Sequence, residues 1–566
     1  MKPILEKIYG RKKGADAFKR LSAAIGDFSL ESPAAKEALY SRKDAILISY
    51  GDALLRNGER PLQTLRRFSR DRFAGVFSGI HILPFFPYSS DDGFSITDFQ
   101  AVRSDLGTWR DIEALSRDFK LMVDLVANHV SSRSRWFSGY LAALKGFEDL
   151  AIEVHPATDL SGVTRPRSLP LLTAFTKQSG HRVLLWTTFS ADQIDLNYNS
   201  LDVLENMVRT LLFYVARGAR IIRLDAIAYL WKQIGTACIN LPQTHDMVRL
   251  FRRILETTAP GVILTTETNL PHHENISYFG NGTDEAHMVY NFTLPPLLLY
   301  SLAVGRAHVL SDWAQAIAAP SEQSAFFNFT ASHDGIGVRP LEGLLPEARI
   351  AWLADRVRQN GGLVSEKRNS DGSNSPYELN ITYLDALKDP MLVNDPFHVS
   401  RFLASQAVAL ALPGVPAVYI HSLLGSRNWT EGVRMTGRAR TINRQKLDAD
   451  AVCRELSDRR SFRSRIFYPY LDMLRIRARQ PAFHPAAGSQ ILHLSDRVFA
   501  VKRFCDQQTL FALTNFSGDP LRIGLPDVQA ASMAMDMLSG KLVDAASIPL
   551  SAYQTAWLVR ITSNTH

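Results

Sequence analysis

The sequence predicts an α/β fold: a (β/α)8 barrel of the TIM type, interrupted by two insertions and followed by a C-terminal antiparallel β-domain. Three observations lead there. Eight short, apolar, β-rich runs recur at 45–49, 79–86, 121–126, 220–224, 261–265, 288–292, 326–329 and 415–421, separated by longer stretches of helical character. Near-continuous apolar strands divided by helices describe a parallel sheet covered on both faces, and eight of them favour a closed barrel over an open sheet. The rhythm then breaks twice, and beyond Pro481 it gives way to short alternating runs at 491–494, 498–503, 510–514 and 556–559, the pattern of antiparallel strands.

Residues 1–43 are charged and Ala-rich, with Ile4, Ile8, Phe18, Leu21 and Ile25 at helical spacing, and read as a helical extension. The barrel begins over 44–129. Residues 130–199, rich in Ser, Arg, Pro and Thr, form the first insertion, between the third and fourth strands. The barrel resumes over 200–335. A second insertion, 336–398, carries Gly361, Gly362 and the polar stretch EKRNSDGSNSPYE. Interruptions this long inside a compact domain are usually functional. Residues 399–483 complete the barrel and 484–566 form the β-domain. No short internal repeat and no low-complexity segment is present.

Composition narrows the function classes. The 64 basic residues exceed the 56 acidic ones by eight, an excess spread over a large surface; the main basic cluster, Arg11, Lys12 and Lys13, is too short for a nucleic-acid stripe. No apolar run approaches the ~18 residues of a membrane span, and the N-terminus lacks the apolar core of a signal peptide. Cys238, Cys453 and Cys505 are odd in number and far apart, which predicts neither a disulfide framework nor a zinc site. The expectation is a soluble cytoplasmic protein acting on small molecules, with no nucleic-acid or membrane partner and its oligomeric state open.

In such barrels chemistry sits at the C-terminal ends of the strands. Strand three ends in DLVANH (Asp124, Asn128, His129), strand four in RLD (Arg223, Asp225), strand five in TE (Glu267), and strand seven in SHDG (His333, Asp334). A lone Asp after a strand is more often a helix cap, and a lone His is more often structural. Convergence of carboxylates, imidazoles and a guanidinium on one rim changes that reading. Such a group suits glycosidic chemistry: an ionised carboxylate attacks the anomeric carbon, a protonated one serves the leaving oxygen, and a third stabilises the oxocarbenium-like charge. Arg223 shares the strand face of Asp225 and is expected to keep it ionised.

These four stretches, DLVANH, RLDAIAYLWK, TETN and SHDGIGVRP, resemble the signature regions of the α-amylase clan of retaining glycosidases, glycoside hydrolase family 13. HDGIGV with RLDA and a Lys six residues on is similar to the sucrose-phosphorylase subfamily. The resemblance implies the barrel with inserted B and B′ domains and a C-terminal β-domain. It implies Asp225 as nucleophile, Glu267 as acid/base and Asp334 as transition-state stabiliser. It implies a donor-glucose site of Asp91, Phe94, His129, Gln193, Arg223, His333 and Arg444, no metal, and no cofactor beyond inorganic phosphate as co-substrate.

Two departures fall on the acceptor side: Thr164 precedes Arg165, Pro166 and Arg167 where sucrose phosphorylases carry Tyr, and Asn269 stands where they carry His. Arg167 and Tyr377 match. Together with the extension and the stretches TDLSGVTRPR, ETNLPH, DEAHMVY and LEGLLPE, the chain is similar to the subfamily's branch that cleaves 2-O-α-D-glucosyl-D-glycerate with phosphate. Sucrose, glucosylglycerol and sucrose 6-phosphate phosphorylases, a retaining α-glucosidase and a non-catalytic barrel are the competing readings. Phosphate must approach beside an ionised Glu267, and like charges ~4 Å apart cost about 4 kcal/mol at an effective dielectric near 20. Arg165 and Arg167 are expected to offset that cost and to suit the glycerate carboxylate.

Overall fold

A computed structural model describes residues 1–28, 38–166, 169–318, 320–368, 373–526 and 532–561. Eight parallel strands close into a barrel in chain order: β1 Ile46–Ser49, β2 Gly79–Ile82, β3 Lys120–Leu125, β4 Ala219–Leu224, β5 Ile263–Thr266, β6 Met288–Tyr290, β7 Ala325–Phe329 and β8 Val415–Tyr419. β8 returns to β1 through Ile46↔Ala417 and its neighbours. The apolar runs read beyond four of these strands continue as other structure. Ile420–Leu423, for example, is helical, because a barrel strand ends where its side chains leave the filled interior.

Two helices, α1 Lys2–Tyr9 and α2 Arg11–Gly26, form the extension. They pack on the barrel helices Leu201–Ala216 and Pro242–Thr258. Leu5 is fully buried; Lys7 Nζ lies 2.8 Å from Asp246; Tyr9 donates to the Tyr198 carbonyl at 2.7 Å; Arg20 pairs with Asp202 and, at 2.9 Å, with Glu205. Helix does not run to residue 43. From residue 38 the chain is irregular, and Tyr40 donates to the His287 carbonyl at 2.6 Å, which leads the chain into β1.

The first interruption is pinned at its base by an antiparallel pair, His129–Ser131 with Gln193–Asp195, and contains the hairpin Leu172–Thr176 with Arg182–Trp186. The second carries a three-stranded antiparallel sheet in which Asn374–Asn380 lies between Ile336–Gly337 and Leu363–Arg368. At the C-terminus a six-stranded sheet runs in the order Gly488–Ile491, Val498–Cys505, Gln508–Asn515, Thr555–Arg560, Met533–Asp536, Lys541–Asp544. Two buried guanidiniums join it to the barrel. Arg477 donates to the carbonyls of Leu410, Gly414 and Phe483, and Arg503 to those of Ala411 and His484. Burial lowers both, to about 10 and about 9, and carbonyl dipoles rather than carboxylates satisfy them. Among the described residues no helix is long and apolar enough to cross a membrane.

Truncating Leu5 to Ala removes the apolar anchor of the extension. Such cavities cost about 2–5 kcal/mol, here felt locally. Amide exchange over α1 and α2 should accelerate by at least about tenfold while exchange in the barrel strands stays unchanged.

Candidate active site

Register places the chemistry. On adjacent strands Asp124 pairs with Arg223 and Leu125 with Leu224, while Thr265 pairs with Arg223 and Thr266 with Leu224. Asp225 and Glu267 are therefore each one residue beyond the last paired position, on strands about 4.8 Å apart. The backbone holds them there: Asp225 N–H donates to the Leu125 carbonyl at 3.3 Å and Glu267 N–H to the Leu224 carbonyl at 3.1 Å.

Arg223 lies beneath this rim with 2% of its side chain exposed. Its Nη1 donates to Asp124 and, at 2.7 Å, to Asp225; its Nη2 stands 3.9 Å from Glu267. Asp124 also receives His81 Nε2 at 2.8 Å. Burial opposes the charge on Asp124, but Arg223 and His81 outweigh it and hold the carboxyl at about 2. Asp225 fares differently. Burial pushes it above its ordinary value, Arg223 opposes, and the negative Asp124 adds to the rise. Arg223 favours the ionised form of Asp225, as expected, but its charge is shared with a deeper carboxylate and does not fully offset burial. Burial also raises Glu267, to about 7 from 4.5; Arg223 and the Ala226 N–H, 2.9 Å away, oppose, while Asp225 and Asp334 add to it.

Asp334 closes the triangle. Burial would raise it, yet Arg440, then Arg444 and Arg223, hold it below the carboxylate range. Arg440 Nη1 lies 2.6 Å from Asp334. His333 stacks on Phe94 at 4.9 Å and 9°, and burial lowers it to about 3, so it is a neutral ring 3.4 Å from Asp334. Phe94 in turn presents its carbonyl to His129 Nε2 at 2.9 Å. Gln193 Nε2 donates to Asp91 at 3.2 Å and lies 3.1 Å from His129. Asp91 and Asp92 both sit in the left-handed region, φ 55° and 48°, a conformation Asp tolerates better than most residues. The two carboxylates diverge: Asp91 lines the cavity, while Asp92 receives Arg444 and, at 3.1 Å, Arg438.

One cavity brings Asp91, Phe94, His129, Gln193, Arg223, Asp225, Glu267, Asn269, His333, Asp334 and Tyr377 together in its wall. Arg444 stands behind its wall, donating to the His333 carbonyl at 2.8 Å. Arg165 is exposed and is not among the lining residues, though Pro166 is. The expected place of Arg165 in the wall of the site is corrected: it lies on an exposed irregular segment outside that wall. Arg167 lies outside the described residues. Thr164 is tied to the Ala237 carbonyl through its own N–H at 3.0 Å.

Four participants escaped the sequence reading: His81, Asp195, Glu378 and Arg440. Glu378 is buried and accepts the Gly335 N–H at 2.9 Å and Arg440 at 2.9 Å. Both glycines of the HDGIG stretch make room: a Cβ at Gly335 would lie 2.6 Å from Glu378, and one at Gly337 2.4 Å from the Asn269 amide. Lys232 Nζ is held by Asp195 at 2.6 Å, Asn128 at 3.0 Å and the Tyr229 carbonyl. An ammonium thus joins the base of the first insertion to strands β3 and β4. Among the described residues no group of three His, Cys, Asp or Glu is arranged to hold a metal ion.

Residues 75–335 match the α-amylase catalytic domain family. The chain is 46% identical to the glucosylglycerate phosphorylase of Spirochaeta thermophila, over 99% of this chain and 98% of that protein. It is 42% identical to the glucosylglycerate phosphorylase of Escherichia coli, over 98% of each. The crystal structure of sucrose 6F-phosphate phosphorylase from Thermoanaerobacter thermosaccharolyticum superposes with a TM-score of 0.74 at 26% identity, covering 85% of this chain and 96% of that one. With the barrel, the carboxylate rim and full-length identity in agreement, the chain belongs to the glycoside phosphorylases of the α-amylase clan.

Proposed function

We propose that this chain catalyses the retaining phosphorolysis of 2-O-α-D-glucosyl-D-glycerate, yielding α-D-glucose 1-phosphate and D-glycerate, with phosphate as co-substrate and no other cofactor. The observation that carries the chemistry is a difference in protonation between neighbouring carboxyls: Glu267 at about 7 beside Asp334, held ionised by Arg440. Pairs whose environments push them apart mark acid and base roles. The choice of glucosylglycerate rests on full-length similarity to relatives of that name. Action in the cytoplasm is part of the same reading.

Asp225 attacks the anomeric carbon as the Glu267 proton passes to the glycerate oxygen, leaving a glucosyl ester on Asp225 and an ionised Glu267. Asp334 stabilises the positive charge developing on the sugar ring. Phe94, stacked on the neutral His333, offers an apolar face to the ring, while Asp91, His129 and Gln193 offer polar partners to its hydroxyls. Hydrogen phosphate then attacks the same carbon through an anionic oxygen. The ester bond to Asp225 breaks, and the remaining phosphoryl proton returns to Glu267. Two inversions restore the α configuration.

Phosphate and glucosylglycerate together should give α-glucose 1-phosphate by NMR; the β anomer would rule out double displacement. Asp225→Asn should lower kcat at least about a thousandfold, because the amide forms no stable ester. Turnover near the native rate would remove Asp225 from this role.

Protonated Glu267 is the working form, so kcat/KM for glucosylglycerate should fall about tenfold per pH unit above about 7. The same carboxyl destabilises the fold. Its folded value, about 7, lies above the ordinary 4.5, so the penalty is absent below 4.5, grows between the two values and is complete above 7. Glu267→Gln should therefore gain stability on the order of 3 kcal/mol at pH 8 and almost none at pH 4, seen as a higher Tm only at the upper pH.

A further inference from the structure

An anionic acceptor needs a cation, and the described cavity wall carries two permanent ones, Arg223 and Arg440. Arg223 is spent: it is fully buried, and its charge is divided between Asp124 and Asp225 with Glu267 close by. Arg440 is placed differently. It comes from the 3-10 turn Ala439–Asn443 after β8, and 29% of its side chain remains exposed. Its Nε donates to Glu378 at 3.1 Å, its Nη2 to the other oxygen of Glu378 at 2.9 Å, and its Nη1 to Asp334 at 2.6 Å. A guanidinium has five N–H bonds. Three are engaged, and one remains on each terminal nitrogen.

Glu378 is at first sight misplaced. It is a buried carboxylate in the wall of a cavity that would admit anions, where it repels them. Its geometry supplies the reason. Gripping both Nε and Nη2, and itself gripped by the Gly335 N–H, it fixes the plane of the Arg440 guanidinium. A fixed fork loses less freedom on binding a carboxylate or phosphate than a free one does. Tyr377, adjacent in the same strand, and Asn269 line the same cavity. The Asn269 Oδ1 is buried with no hydrogen-bond partner, suited to accept from an acceptor hydroxyl.

The geometry points to Arg440 as the specificity-determining cation of the acceptor side: its two remaining N–H bonds take the carboxylate of glycerate and, in the other direction, the incoming phosphate, with Glu378 as the positioning residue that holds the fork. This assignment rests on the reading of the chain as a glucosylglycerate phosphorylase. It puts Arg440, rather than Arg165, in the cavity wall as the cation that meets the anionic acceptor.

A partition experiment isolates the role. With α-glucosyl fluoride as donor, the glucosyl-enzyme is offered D-glycerate and glycerol at equal concentration, and the two glucosides are quantified. Both acceptors capture one intermediate, so their ratio does not depend on how fast it forms, and disturbance of Asp334 cancels. The native enzyme should favour glycerate by about tenfold or more. Arg440→Ala should reduce that preference at least about tenfold and raise the phosphate KM by a similar factor. Arg440→Lys, which keeps the charge without the fork, should recover part of both. If the alanine variant does not fold, Arg440→Gln gives the same reading, with the preference lost. A preference that survives in the neutral variants overturns the assignment, and leaves Arg440 a structural partner of Asp334. A native enzyme that captures neither glycerate nor phosphate overturns the functional reading itself, a result the variants are not needed to see.

Discussion

The site is organised around one guanidinium. Arg223 sits below the rim with almost no contact with water and is shared between Asp124 beneath and Asp225 above. A buried cation of this kind is costly unless carboxylates compensate it. The compensation is unequal. Asp124, fully enclosed and also held by His81, takes the larger share and is held at about 2. What remains for Asp225 and Glu267 is too little to offset their own burial, so both stand above their ordinary values. Burial thus raises the two carboxyls at the surface of the pocket, and Arg223, shared with Asp124, only partly offsets it.

A second electrostatic layer lies across the cavity. Asp334 is partly buried, like Glu267, yet Arg440 and Arg444, both from the segment after β8, hold it ionised. Neighbouring carboxyls in one cavity therefore occupy opposite protonation regimes, and the difference is made by which strand end faces which arginine. Arg444 is itself held in place by Asp92, whose left-handed backbone turns its side chain away from that of Asp91. The polar wall of the pocket is a chain of such constraints, Gln193 to Asp91 and to His129, and His129 to the Phe94 carbonyl.

The insertions act through the same physics. The ammonium of Lys232 draws Asp195, Asn128 and the Tyr229 carbonyl to one point, which fixes the base of the first insertion against the barrel. The second insertion contributes Glu378, whose approach depends on the missing side chain of Gly335. Asp225, Glu267 and Asp334 thus stand at or just beyond barrel strand ends, whereas Asp91, Gln193, Glu378, Arg440 and Arg444 come from segments between and beyond the strands.

Much was determined by the sequence alone. The apolar runs that became β1 to β8 needed only local composition, because a strand buried on both faces must be apolar along its whole length. The positions of Asp225, Glu267 and Asp334 followed from that, since a polar group just past such a run can only stand on the barrel rim. What the sequence left open depends on distance in space. Glu378 and Arg440 are 62 residues apart and each lies in an unremarkable polar stretch. Nothing in either stretch says that they meet, or that together they face Asp334. The rise of Asp225 above its ordinary value was hidden for the same reason. Its neighbour in sequence, Arg223, was visible, but the competing Asp124 is 99 residues from Arg223 and becomes its partner only when β3 and β4 align. Which residues could carry charge was written in the chain; which of them do so is set by burial and by the sharing of counter-charges, and both exist only once the barrel has closed.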